Sequence, residues 1–153
     1  MTKTGSSTLL LSLGDRESRV RLTGEDGVSR EFVLALGLDA MTPGPFRRDP
    51  PTPLELEQAI MVVEDVLMPL AAHVPPHPLV ELHSPVPLAE ALGSRVQSRE
   101  NIERLFGQLV AMVEGDPLAS AQLPRDRRFA AALLILREWM HHLDAGSVAL
   151  VDQ

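Results

Sequence analysis

The run Ala130–Leu136 constrains the fold of this chain more than any other stretch. Its seven consecutive residues, AAALLIL, have no polar side chain, and they lie inside a segment with helical composition that extends from Asp126 to Gly146. A helix that is apolar on every side must be covered on more than one side, because exposed apolar surface is unfavourable in water. The run therefore predicts either the central helix of a domain or a helix in a dimer interface.

The dimer alternative leads to a specific expectation. Leu133, Leu136 and Met140 follow one another at helical spacing, so they would form the contact with a second copy of the chain. A homodimer through these three residues is predicted on this basis.

The first 37 residues have the pattern of strands. Val20 and Leu22 alternate with polar neighbours, which is the period of a half-buried strand. Asp26-Gly27 between two such runs is a hairpin signal. The segment predicts a three-stranded antiparallel meander.

Helices follow a proline-rich crossing at 37–53. A capping box of Thr52 and Glu55, with Pro53 at the first helical position, predicts the start of the first long helix. Two more helices can be capped by Ser98 and Asp126. "LVELH" and "SVALVDQ" have the composition of short strands, and "PLAEALGS" that of a short helix. The predicted fold is α+β, a single domain over 1–153: the meander, extended by one or two short strands, with three main helices packed on it.

Composition excludes several function classes. The chain has no cysteine, so disulfides, thiolate metal sites and cysteine nucleophiles are absent. Its net charge is −7, which repels nucleic-acid phosphates unless a basic stripe is present. Two short basic runs, Arg47-Arg48 and Arg125–Arg128, are the nearest approach to one, and they are interpreted as solvated or ion-paired positions. Nucleic-acid binding is not expected.

The length of the apolar runs and the choice of cationic residues indicate the location and source of the protein. No stretch approaches eighteen apolar residues and the N-terminal apolar run, Leu9–Leu13, is too short for a signal peptide, so a cytoplasmic protein with no membrane association is expected. The strong preference for arginine over the single Lys3 is typical of GC-rich bacterial genomes.

Metal-ligand chemistry has one candidate helix. Glu138 lies three residues before His141 and four before His142, and both spacings place the pair on one helix face. A di-iron site would need a second such pair, which the chain lacks. The alternative to a metal site is an ordinary helix C-terminus, where the histidines interact favourably with the helix dipole.

The remaining histidines lie in a proline-rich connection. His73, His77 and His83 could join His141 or His142 in a nitrogen-rich metal site, or they could be solvated loop residues. Glu64 and Asp65 are interpreted as a solvated helix face. No cofactor is expected.

Nucleotide and hydrolase motifs are absent. The chain contains no phosphate-loop, dinucleotide or nucleophile-elbow pattern, and Lys3 is its only lysine. No catalytic residue can be named from the sequence, and the absence of these motifs favours a protein that is not an enzyme.

One resemblance concerns the opening segment. "LLLSLGDRESRVRLT" resembles the strand–glycine turn–strand that opens actin-like and exopolyphosphatase-type phosphotransfer domains, and the βββ-helix order is similar to the start of a ribonuclease-H-like unit. These families carry an aspartate on the first strand for metal and phosphate, where this chain has Leu11-Ser12-Leu13. The resemblance, over about the first 70 residues, implies a degenerate phosphate- or nucleotide-binding domain.

Three functions therefore remain open. The first is a non-catalytic bacterial interaction or accessory domain that self-associates and binds a protein partner. The second is a small metal- or ligand-binding enzyme that uses a His/Glu site. The third is the degenerate phosphate- or nucleotide-binding domain.

Overall fold

The computed structural model describes residues 7–40, 46–119 and 123–153. The strands are β1 (Thr8–Ser12), β2 (Ser18–Thr23), β3 (Ser29–Leu34), β4 (Leu79–Ser84), β5 (Val96–Ser98) and β6 (Ser147–Asp152). The helices are α1 (Pro53–Ala71), α2 (Leu88–Leu92), α3 (Arg99–Val113) and α4 (Arg127–His142).

One mixed sheet with strand order β3-β2-β1-β4-β6-β5 forms the base of the molecule. β1, β2 and β3 pair antiparallel, which confirms the predicted meander. β1, β4 and β6 are parallel neighbours, so all three end at one edge of the sheet, here called the carboxyl edge. The α+β fold predicted from the sequence is confirmed. β5, a three-residue strand antiparallel to β6, was not predicted.

The strands bury alternate residues on one face. Leu9 and Leu11 of β1 and Val20 of β2 are at most 1% exposed, and they lie under the helices. The other face carries the polar alternates, together with exposed Leu79 and Val96. Parallel strands are usually covered on both faces, so this open face is unusual.

Two loops cross closely at the carboxyl edge. Gly37, after β3, lies against the turn that follows β1, and an added Cβ there would be 2.5 Å from the Asp15 carbonyl oxygen. The Leu38 and Asp39 amides donate to the Gly14 and Asp15 carbonyl oxygens at 3.0 and 2.7 Å. A side chain at position 37 would therefore push these two loops apart.

The helix starts agree with the sequence. The Thr52 hydroxyl accepts from the Glu55 amide, and the Glu55 carboxylate accepts from the Thr52 amide, so the capping box is complete. The Ser98 hydroxyl caps α3 by accepting from the Asn101 amide, and the Asp126 carboxylate caps α4 by accepting from the Arg128 amide. α1 and α4 each precede a parallel strand, so both begin at the carboxyl edge.

Glu55 also joins α1 to the preceding loop. Its carboxylate accepts from the Arg47 amide at 2.8 Å. Burial acts to raise the pKa of Glu55, but hydrogen bonds from the Thr52 and Arg47 amides and the Thr52 hydroxyl, with the Arg47 charge, outweigh it and lower the pKa.

We expect Glu55→Gln to lower the free energy of unfolding by about 1 kcal/mol at pH 7. Because the folded pKa is depressed, the contribution of Glu55 is present above the ordinary glutamate pKa of about 4.3 and is lost as the pH falls through the folded value. The difference between wild type and variant should therefore shrink in acid. Urea unfolding followed by fluorescence of Trp139, the only tryptophan, measures it, with exposed Glu57→Gln as control. A constant difference from pH 7 to pH 3 would contradict this role.

α4 is the central helix of the chain. All seven side chains from Ala130 to Leu136 are 0% exposed, because α1 and α3 flank α4 and the sheet lies beneath it. Leu133, Leu136 and Met140 are thus inside the chain's own core, at 0 to 1% exposure, and add nothing to its surface. The homodimer stays a prediction, but in this fold another surface would have to supply its contact.

No helix in the described ranges combines the length and hydrophobicity that a bilayer crossing requires.

Candidate functional site

Three potential ligand side chains meet between α1 and α4. His142 Nε2 lies 3.2 Å from Glu138 Oε1 and 3.3 Å from Glu64 Oε2. One potential metal-ligand atom from each of the three residues lies within 4.8 Å of the other two. Among the described residues, this is the one group of three or more histidine and acidic side chains that are so close together. We call these residues the Glu64 triad.

Glu138 is the buried member of the triad. Its side chain is 0% exposed, whereas those of His142 and Glu64 are 20% and 40% exposed. The sequence placed Glu138 on one helix face with His141 and His142, without predicting that it is buried. It is buried because α1 and α3 cover both flanks of α4.

Arg137 compensates the charge of Glu138. Its Nη1 pairs with Glu138 Oε2, and its Nε donates to both Glu103 oxygens at 3.2 to 3.3 Å. Burial acts to lower the pKa of Arg137, but the carboxylates of Glu138 and Glu103 outweigh it and raise the pKa. The guanidinium carbon also lies 5.1 Å from the centre of the Phe106 ring.

The other histidines lie outside the triad. His141 Nδ1 is 3.2 Å from Arg99, and its ring meets that of His142 edge-on. His77 lies 3.5 Å from Asp144, beyond the end of α4. His73 contacts the Phe32 ring, with centroids 5.7 Å apart.

His83 lies on the open face of the sheet. It pairs there with Glu81 on the same strand, and Gln153 is 3.3 Å from its Nδ1. The three loop and strand histidines His73, His77 and His83 therefore have separate neighbours, and none of them joins His141 or His142 in a shared ligand group of the described residues.

A second region of interest is the carboxyl edge, where open α/β sheets bind ligands. The polar groups at the strand ends already have partners. Asp15, after β1, pairs with Arg128 at 2.9 Å. Asp152, at the end of β6, accepts from the Ala89 and Glu90 amides at 2.9 and 3.0 Å. At the end of β4, the Ser84 hydroxyl accepts from a backbone amide.

The two short basic runs of the sequence meet at this edge. Asp49, next to Arg47-Arg48, accepts from the Arg127 amide at 2.7 Å and so joins the loop before α1 to the start of α4. Arg128 joins the same region to Asp15 and Asp39. Five exposed arginines at this edge make no ion pair with a described carboxylate, and we call them the arginine edge: Arg16, Arg47, Arg48, Arg125 and Arg127.

Several solved structures of the exopolyphosphatase type have the same arrangement. The PPX-GPPA enzyme of Aquifex aeolicus superposes with a TM-score of 0.69 at 13% identity, over 96% of this chain and 54% of the enzyme. The chain shares the fold of exopolyphosphatase-type proteins. An exopolyphosphatase from Cytophaga hutchinsonii gives a TM-score of 0.67 at 14% identity, over 97% of this chain and 54% of its own length. An exopolyphosphatase-like protein gives 0.70 at 13%, over 96% and 55%.

These likenesses extend the resemblance of the opening segment to the whole fold. The chain spans about half the length of the solved structures it matches. No protein-family model and no curated protein matches it.

Sequence reasoning missed two features of these regions. Glu64 was interpreted as a solvated residue, although its position at the border of the apolar stripe of α1 was a signal that it could face a neighbouring helix. The convergence of the basic runs had no local signal, because their arginines are 77 to 81 positions apart along the chain.

Proposed function

We propose that this chain binds a phosphate polyanion at the arginine edge and does not hydrolyse it. The observation that carries the proposal is the convergence of two distant basic runs at the carboxyl edge of a sheet whose fold is shared with exopolyphosphatases. Guanidinium groups suit phosphate because they offer several donors in a fixed plane.

The net charge of −7 does not oppose this site at short range. Charges separated by more than about 8 Å are largely screened at physiological ionic strength, so the local arginines dominate. The nearby carboxylates of Asp15, Asp39 and Asp49 are occupied by Arg128 or by a backbone amide.

The strand ends support binding without hydrolysis. Phosphoryl transfer needs groups that hold a metal ion or orient the attacking water. β1 has Leu11 and Ser12 where the exopolyphosphatase-type families have their aspartate, and the nearest acidic side chains at the edge have partners within the protein. A bound phosphate chain would therefore meet cations but no free carboxylate on the described strands.

Replacing Arg47, Arg48, Arg125 and Arg127 together by glutamine should weaken binding of long-chain polyphosphate at least tenfold, because each lost phosphate contact also reduces counterion release. Titration calorimetry at two salt concentrations measures the affinity and its salt slope, and both should fall. A phosphate-release assay on wild type should give no signal above the buffer blank.

The matched control replaces four exposed arginines elsewhere, Arg21, Arg30, Arg95 and Arg104, by glutamine, with the same change in net charge. It should retain affinity within about threefold, because these residues lie away from the carboxyl edge. Equal losses in both variants, or no binding by wild type at millimolar polyphosphate, would overturn the proposed site. Phosphate release above the blank would overturn the non-hydrolytic part.

A further inference from the structure

The Glu64 triad lies well away from the arginine edge. Arg127 begins α4 at the carboxyl edge, and Glu138 follows roughly 16 Å further along the helix axis. The triad therefore needs an explanation that does not depend on phosphate binding.

The hydrogen bonding inside the triad is incomplete. His142 Nε2 can carry one proton, yet it faces carboxylate oxygens of two residues, Glu138 at 3.2 Å and Glu64 at 3.3 Å. A single N–H cannot point at both oxygens with good geometry. When that nitrogen carries no proton, three acceptor atoms face one another.

The distances suit a metal ion in place of the proton. Two ligands bound at zinc distances of about 2.0 to 2.1 Å with tetrahedral angles are separated by roughly 3.3 Å. Both contacts of the imidazole nitrogen have this separation. The i,i+4 spacing of Glu138 and His142 brings them to one helix face, and α1 supplies Glu64 from the side.

The surrounding charge favours a divalent cation. The cluster holds three carboxylates, those of Glu64, Glu138 and Glu103. Its one guanidinium, that of Arg137, pairs with Glu138 and Glu103 only. With His142 neutral, two negative charges remain, and a divalent ion would neutralise them. Arg137 also holds the second oxygen of Glu138, which orients the first toward the site; such outer contacts are typical of metal ligands.

We propose that Glu64, Glu138 and His142 bind one divalent transition-metal ion of the zinc type. One imidazole and two carboxylates suit Zn²⁺, Mn²⁺ or Fe²⁺, whereas Mg²⁺ and Ca²⁺ prefer oxygen ligands alone. Three protein ligands leave a fourth position open, and the partial exposure of Glu64 and His142 gives it access to water.

The test uses the full chain, stripped with a chelator and titrated with ZnCl₂ and, separately, MgCl₂ in phosphate-free buffer. We expect one Zn²⁺ per chain, a higher Tm with zinc, and no binding of Mg²⁺ at the same concentration.

Glu64→Gln and His142→Gln should each lower zinc affinity at least tenfold. Both residues are partly exposed, so these variants should fold, which far-UV circular dichroism checks. The controls are His141→Gln, the adjacent histidine directed at Arg99, and His73→Gln in the connecting loop; both should keep wild-type affinity.

Equal loss in His141→Gln and His142→Gln, unchanged affinity in Glu64→Gln, or no zinc binding at all would overturn the metal site. His142 would then contact the two carboxylates directly, with no ion between them. Phosphate plays no part in the zinc titration. A negative zinc result would therefore not bear on phosphate binding at the arginine edge, and a negative polyphosphate result would not bear on the Glu64 triad.

Discussion

Replacing Arg137 by methionine is expected to lower the free energy of unfolding by about 3–5 kcal/mol at pH 7 in chelator-containing buffer. Glu138 is 0% exposed, and Arg137 is the permanent positive charge paired with it. Methionine retains much of the apolar packing against Phe106 but leaves the carboxylate buried with only His142 beside it. A total stability of 5–15 kcal/mol is usual for a domain, so the loss is large. Urea unfolding followed by the fluorescence of Trp139, the only tryptophan, measures this loss at pH 7.

Two controls separate charge from packing. The double variant Arg137→Met/Glu138→Met removes both charges, so it should recover most of the lost stability. Arg104→Met removes an exposed arginine of α3 and should change stability by less than about 0.5 kcal/mol. A double variant as unstable as Arg137→Met alone would show that the guanidinium acts through its packing and its bonds to Glu103.

Local patterns in this sequence were sufficient to predict most of the elements. The capping box at Thr52, the caps at Ser98 and Asp126 and the alternation in β2 each involve residues a few positions apart. Such signals depend on backbone geometry alone. β5 was missed because three residues are too few for a period to be visible, and its pairing with β6 joins residues about fifty positions apart.

The candidate sites depend on contacts that no local pattern encodes. Glu138 and His142 were recognisable as a pair at helical spacing, but their third partner, Glu64, comes from a helix more than seventy residues earlier. The burial of Glu138 follows from two helices packing on α4, which the apolar run alone did not require, since a dimer would also have covered it. Pairing of distant elements is decided by the whole topology.

Substitution of Trp139 is expected to have the second large effect on the free energy of unfolding. Its side chain is 0% exposed, and Nε1 has no hydrogen-bond acceptor among the described residues. Trp139→Ala should cost about 3–5 kcal/mol through the cavity it leaves. Trp139→Phe should cost less than about 1.5 kcal/mol, because the smaller ring loses contacts but also removes a buried, unpaired N–H, which itself costs about 1–3 kcal/mol. Urea unfolding followed by circular dichroism measures both variants.

Phe129→Leu is the matched comparison, since Phe129 is 2% exposed on the same helix and its ring has no polar atom to remove. Its loss of packing has no compensating gain, so it should destabilise at least as much as Trp139→Phe, which removes the same number of side-chain heavy atoms. If Trp139→Phe instead costs as much as Trp139→Ala, the indole N–H has a partner in the folded protein. An internal water that bridges it to a backbone carbonyl would then be part of the core.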